Sequence, residues 1–121
     1  MKNILLVEND TINTMIMKAY LTNDHKVDCV VDGEEAIRMA MENKYDVILM
    51  DINLGQGMDG LVTARKIREN EKYKNTPIVA VTAFAMEGDR EDFLHNGCTH
   101  YISKPFLKEE LLQLIESMNL D

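Results

Sequence analysis

Apolar residues in this chain gather in two patterns. Short runs occupy residues 4–7, 27–31, 47–50 and 78–81, with a weaker fifth at Tyr101 and Ile102. Three of the five lack polar alternation, as strands covered on both faces do. Between the runs, apolar residues recur at helical spacing: Ile12, Met15, Ile16 and Ala19; then Ile37, Ala40 and Met41; then Leu107, Leu111, Leu114, Ile115 and Met118. Such stripes predict helices with one face toward a core, and most of the nine methionines fall on them as filler.

Punctuation agrees with an alternation of strand and helix repeated five times. Asp32 is placed to cap the second helix, Gly97 to end the fourth in a left-handed turn, and Pro77 to open the fourth strand where its missing N–H does no harm. No repeat, linker or low-complexity tract interrupts the pattern. Over 121 residues it predicts one domain spanning 1–121. The expected class is α/β, a flavodoxin-like (βα)5 doubly wound parallel sheet in strand order 2-1-3-4-5.

Charge narrows what such a domain can meet. The formal net charge is -8, from 13 basic and 21 acidic side chains, so its field repels nucleic-acid backbones and anionic lipid. Cys29 and Cys98 have no C-x-x-C spacing and read as buried structural thiols of a reducing compartment. The opening MKNILLVEND is too short for a signal segment, and no run approaches a membrane span, which predicts a cytoplasmic protein.

In an open α/β sheet, ligands bind beyond the carboxyl ends of the strands where the order reverses. To that rim the first strand would deliver Glu8-Asn9-Asp10, the third Asp51, the fourth Thr82, and the segment after the fifth Lys104. The three carboxylates suit a hard divalent cation, Mg²⁺ foremost, which would offset their mutual repulsion. Asp51 can then act as a nucleophile toward a phosphoryl group, with Thr82 donating a hydrogen bond and Lys104 a charge to its oxygens. His25, His95 and His100 fall outside the rim, so a histidine donor must come from a partner.

At these residues the sequence closely resembles the receiver domains of two-component response regulators. The match runs through residues 8–10, Asp51, Met58-Asp59-Gly60, Val81-Thr82-Ala83 and Tyr101-Ile102-Ser103-Lys104-Pro105-Phe106, and its strength lies in their order and spacing. The resemblance implies a phosphoacceptor switch rather than an enzyme. Asp51 would take a phosphoryl group from a phosphohistidine on a sensor histidine kinase or histidine phosphotransferase. Glu8 and Asn9 would serve Mg²⁺ together with Asp51 and the backbone carbonyl of Asn53. Thr82 and Lys104 would contact the phosphoryl group, and Tyr101 would turn inward as Thr82 moves. The face formed by the fourth helix, fifth strand and fifth helix would then bind a downstream target protein or output domain. The Lys104-Pro105 bond is cis in such domains.

Three departures from the family pattern stand out. Asn9 replaces the second of two consecutive acids, which leaves Asp10 as the alternative carboxylate for the metal, although Asp10 is equally placed to cap the first helix. The loop from Asp51 to Gly60 is one residue longer than usual, with Gly55 near a common proline position. Phe84 and Asn53, each two residues beyond a rim residue, stand where the family tunes water access, and Phe84 is expected to slow hydrolysis. Two rivals remain. One is a degenerate receiver that binds partners without phosphorylation. The other is a dinucleotide-binding oxidoreductase built on Gly55, Gly57 and Gly60; its fingerprint requires an acid at the end of the next strand, where residues 78–82 supply none.

Overall fold

The computed structural model describes residues 1–54, 58–83 and 89–118, with the side chain of Arg90 set aside. Five strands, β1 (Asn3–Val7), β2 (Lys26–Val30), β3 (Val47–Asp51), β4 (Ile78–Thr82) and β5 (His100–Ser103), form one parallel sheet in the order β2-β1-β3-β4-β5. The expected flavodoxin-like order is therefore the observed one. Helices α1 (Thr11–Leu21), α2 (Gly33–Glu42), α3 (Gly60–Arg68), α4 (Asp89–His95) and α5 (Lys108–Glu116) connect or follow the strands, with a single 3-10 turn at Glu71–Tyr73.

Strand alternation divides the interior into two cores. Leu5, Val7, Ile48, Met50, Ile78 and Ala80 point to one side, where Ala36, Ala40, Ala64, Ile67 and Phe93 cover them. Ile4, Leu6, Val47, Leu49, Val79 and Val81 point to the other, under Met17 and Leu21 of α1 and Leu111 and Ile115 of α5. Unbroken apolar strands are what two covered faces require.

The helix starts follow local chemistry. Asp10, Asp32 and Asp59 each accept a backbone N–H three residues on, at Asn13, Glu35 and Val62, and so satisfy an orphan donor of the first turn. At α5 the order is reversed, with Glu110 accepting from the N–H of Leu107. Gly97 takes φ 100° after α4, as its position predicted.

Several expectations fail in instructive ways. On α1 the stripe Ile12, Met15, Ile16 and Ala19 faces solvent, with Ile12 68% exposed, while Met17 and Leu21 meet the sheet. Nearly every position from 15 to 21 is apolar, so the helix carries two candidate stripes and periodicity alone cannot rank them. Met41 on α2 is exposed where Ala36 and Ala40 pack, and Leu107 is exposed just before α5, so methionine and leucine are not uniformly core filler. Cys98 is buried, and burial pushes its thiol up to about 11. Cys29 is exposed, because it lies on the outermost strand.

Candidate functional site

The carboxyl ends of β1, β3 and β4 and the segment after β5 meet at one rim. A cleft of about 200 Å³ there is lined by Asn9, Asp10, Asp51, Asn53, Thr82 and Lys104, with Asn13 and Ala83 completing its wall. Glu8, 1% exposed, shares Lys104 with Asp51, which is 5% exposed, and Thr82 is 8% exposed. Two of these three are carboxylates removed from water, which costs several kcal/mol unless other groups satisfy them.

Backbone pairing carries each group to its place. Glu8 N–H donates to the Val30 carbonyl at 3.0 Å, ending β1 against β2, and Lys104 N–H donates to the Thr82 carbonyl at 2.8 Å, drawing the Lys104 side chain over the rim. After Asp51 the chain returns to start α3 at Gly60, whose N–H donates to the Ile52 carbonyl. A Cβ at Gly60 would lie 2.2 Å from the Asp51 carbonyl oxygen and 2.7 Å from Ile52 Cα, so only glycine permits this approach to the end of β3.

One cation serves both acids. Lys104 Nζ stands 3.2 Å from Glu8 Oε1 and 3.5 Å from Asp51 Oδ2. Asp51 Oδ1 accepts the Asn53 N–H at 3.1 Å. Glu8 Oε2 is buried with no hydrogen-bond partner among the described residues. Burial pushes the Glu8 carboxyl up to about 7, the neighbouring Asp51 adds to the rise, and Lys104 pulls it back.

The donor set fits Mg²⁺. Asp51, Asn9 and Asn53 offer oxygens around one small cleft, Glu8 shares Lys104 with Asp51 and keeps a buried oxygen without a hydrogen-bond partner among the described residues, and a hard cation that keeps several of its own waters needs few protein ligands. No group of three or more His, Cys, Asp or Glu suited to a metal occurs among the described residues. Asp10 borders the cleft, but its Oδ1 accepts the Asn13 N–H at 3.0 Å, so its carboxylate is engaged in capping α1.

Tyr101 is not part of this cleft. It stands 39% exposed on β5 beside a separate hollow of about 200 Å³ lined by Phe93, Leu94, Thr99, His100 and Leu114. His25 and His100 are half-buried away from the rim, and burial lowers both of their pKa values. The Lys104-Pro105 bond is cis, as the resemblance implied. Gly55, Gly57, Phe84 and Met86 lie outside the described residues, so the lengthened loop and the shielding role of Phe84 gain no structural account. Asn13 is the rim residue that sequence reasoning missed. Its only signal was its place three residues after a capping Asp, which locates its backbone but not its side chain.

Known proteins share this architecture. A family model described as the response regulator receiver domain matches residues 4–116. The polar-differentiation response regulator DivK of Brucella abortus (strain 2308) is 33% identical over 117 residues, covering 96% of this chain and 94% of that protein. The probable transcriptional regulator ycf29 of Porphyra purpurea is 37% identical over 117 residues, covering 96% of this chain, which spans 56% of the length of that relative. Among solved structures, the chemotaxis protein CheY4 of Vibrio cholerae superposes with a TM-score of 0.91 at 27% identity, covering 96% of this chain and 97% of that one. The receiver domain of the sensor histidine kinase PA1611 from Pseudomonas aeruginosa, solved with magnesium in its active-site cleft, gives a TM-score of 0.88 at 40% identity, covering 95% and 94%.

Proposed function

The chain belongs to the response regulator receiver domain family of two-component signalling, and from that premise we propose that Asp51 is its phosphoacceptor, charged by a phosphohistidine on a sensor kinase or histidine phosphotransferase. The observation that carries this reading is the buried pair Glu8 and Asp51, bridged by Lys104 and left with one carboxylate oxygen that has no hydrogen-bond partner among the described residues. A purely structural pair would be fully satisfied.

An Asp51 carboxylate oxygen attacks the phosphorus, the P–N bond to the donor imidazole breaks, and the imidazole leaves with its electron pair. Lys104 shifts from Glu8 toward the phosphoryl oxygens, and Thr82, at the end of β4, donates to another. Glu8, Asn9, Asp51 and the Asn53 carbonyl would hold Mg²⁺, which when bound would neutralise charge on the phosphoryl group. The donor protein must cover the surroundings of the cleft, and the exposed stripe Ile12, Met15 and Ile16 on the neighbouring α1 suits that contact. On the other flank, the face of α4, β5 and α5, with Tyr101 and Leu94 exposed, is the surface whose population the phosphoryl group shifts toward target binding.

Treatment with phosphoramidate and Mg²⁺ followed by intact-mass measurement tests the reading. The wild type gains a single phosphate adduct, and Asp51→Asn gains none. Absence of an adduct in the wild type would establish instead the degenerate receiver, in which Asn9 has disabled the metal site.

A further inference from the structure

β2 ends the sheet, and among the described residues no other strand meets its free edge. Lys26 N–H donates to the Lys2 carbonyl, and the Val30 carbonyl accepts the Glu8 N–H. Alternation therefore gives residues 26, 28 and 30 to β1 and turns the backbone N–H and C=O of Val27 and Cys29 outward. The helices leave this edge open, since Lys26, Cys29 and Val31 are all exposed. Charge usually blunts such an edge. Here it comes as one residue of each sign on one face of the strand, with Lys26 and Asp28 lining the same small hollow. The Tyr45 hydroxyl donates to Asp28 Oδ2 at 2.7 Å, and neither Lys26 nor Asp28 belongs to an ion pair among the described residues.

We infer that β2 pairs antiparallel with β2 of a second copy of this chain, centred on Val27, so that two five-stranded sheets join about a two-fold axis. Charge selects both the occupant and the register. With Val27 at the centre, Lys26 of each copy faces Asp28 of the other at a position without ladder hydrogen bonds, where side chains approach most closely. Centring on Asp28 or on Lys26 instead sets like charges opposite each other, and centring on Cys29 sets Asp28 against the apolar Val30. The two Val27 residues exchange the N–H···O bonds that their outward backbone offers. An antiparallel junction points the carboxyl ends of the two sheets in opposite directions, so both rims stay open. The association is thus separate from phosphoryl transfer and does not rest on the acceptor reading. One short strand from each copy forms the contact and the net charge of -8 on each opposes it, which predicts a weak, concentration-dependent dimer.

Sedimentation equilibrium from about 10 µM to about 1 mM tests the pairing, in reductant so that the exposed Cys29 links no copies. The wild type should pass from monomer to dimer across that range. Lys26→Glu and Asp28→Lys should each weaken association at least about tenfold, because each sets like charges opposite one another twice. An equimolar mixture of the two variants should associate as the wild type does, since each then presents to the other the opposite charge at both positions. Val27→Pro removes an outward N–H while sparing the ladder to β1, and should abolish the dimer. Urea midpoints establish which variants are folded, and if loss of the Tyr45 partner unfolds Asp28→Lys, Lys26→Glu and Val27→Pro still decide the matter. A wild type that stays monomeric, folded variants that dimerise unchanged, or a mixture of folded charge variants that stays monomeric overturns the inference.

Discussion

At the amino ends of the strands, where α3 meets the 3-10 turn, Arg68 gives Nε and Nη2 to the Gly97 carbonyl at 3.2 and 2.6 Å and Nη1 to the Tyr73 and Lys74 carbonyls. Tyr73, fully buried, directs its hydroxyl to the carbonyls of Ala40 and Asn43, each 2.7 Å away, under the ammonium groups of Lys44 and Lys72 at 4.8 and 5.4 Å from its ring centre. At the carboxyl ends, Glu8 keeps one buried oxygen without a hydrogen-bond partner among the described residues, and a single lysine is stretched between two acids. Both regions take charge out of water. The first satisfies it with fixed carbonyls and so holds the fold, whereas the second leaves it short of partners and so is poised for something that arrives.

The largest expected effect is at the satisfied corner. Arg68→Met strips donors from carbonyls on two segments and should lower stability by about 3 kcal/mol, read from the urea midpoint. The rate of adduct formation at Asp51, measured well below that midpoint, should stay as in the wild type. A loss of labelling in folded protein would mean that the two ends of the sheet are coupled, and the division between them would fall.

At the rim the sign reverses. Glu8 has its carboxyl raised to about 7 by burial first and by Asp51 second, so the folded protein holds that proton more tightly than the unfolded chain does. Its contribution to stability is full below the ordinary carboxyl value and is lost as pH rises through about 7. Metal-free protein should therefore weaken between pH 5 and pH 8, and Glu8→Gln should remove that slope and gain about 2 kcal/mol at pH 8 in a chelator. A destabilised Glu8→Gln under those conditions would show that Lys104 already satisfies the acid. The smaller counterpart at the corner is Tyr73→Phe, which leaves two carbonyls to one fewer donor and should cost about 1 kcal/mol with no dependence on metal.

The same contrast explains what could be read in the sequence. The caps at Asp10 and Asp32 and the turn at Gly97 were legible because each depends on residues within a few positions, the strand order because regular strand and helix alternation admits few parallel topologies, and the rim because a strand that ends in an acid places it at the carboxyl edge of the sheet. The Arg68 corner was not, since its partners Gly97 and Tyr73 are ordinary in sequence and meet only after the chain has folded. The buried face of α1 was misassigned because two apolar stripes compete there, and tertiary packing selected Met17 and Leu21 over Ile12 and Met15. Cys29 was misplaced because a parallel strand was assumed to be covered, whereas β2 ends the sheet.

The finest probe of the difference is position 9. Asn9 lines the cleft with a neutral oxygen, so Asn9→Asp adds a third carboxylate to a site where the capping role of Asp10 leaves only Glu8 and Asp51. Without metal the added charge should lower stability by a few tenths of a kcal/mol, because it repels two acids at the mouth of the cleft. With Mg²⁺ the same charge becomes a ligand, and affinity should rise about threefold to tenfold. The gap between urea midpoints in chelator and in Mg²⁺ should then widen by about 1 kcal/mol, since a ligand that binds only the folded state stabilises it in proportion to the logarithm of its concentration over Kd. The increment should be the same in an Arg68→Met background, because groups at opposite ends of the sheet with no shared partner add independently. An unchanged gap would place Asn9 outside the metal site, and an increment that depends on Arg68 would show that the rim draws on the corner after all.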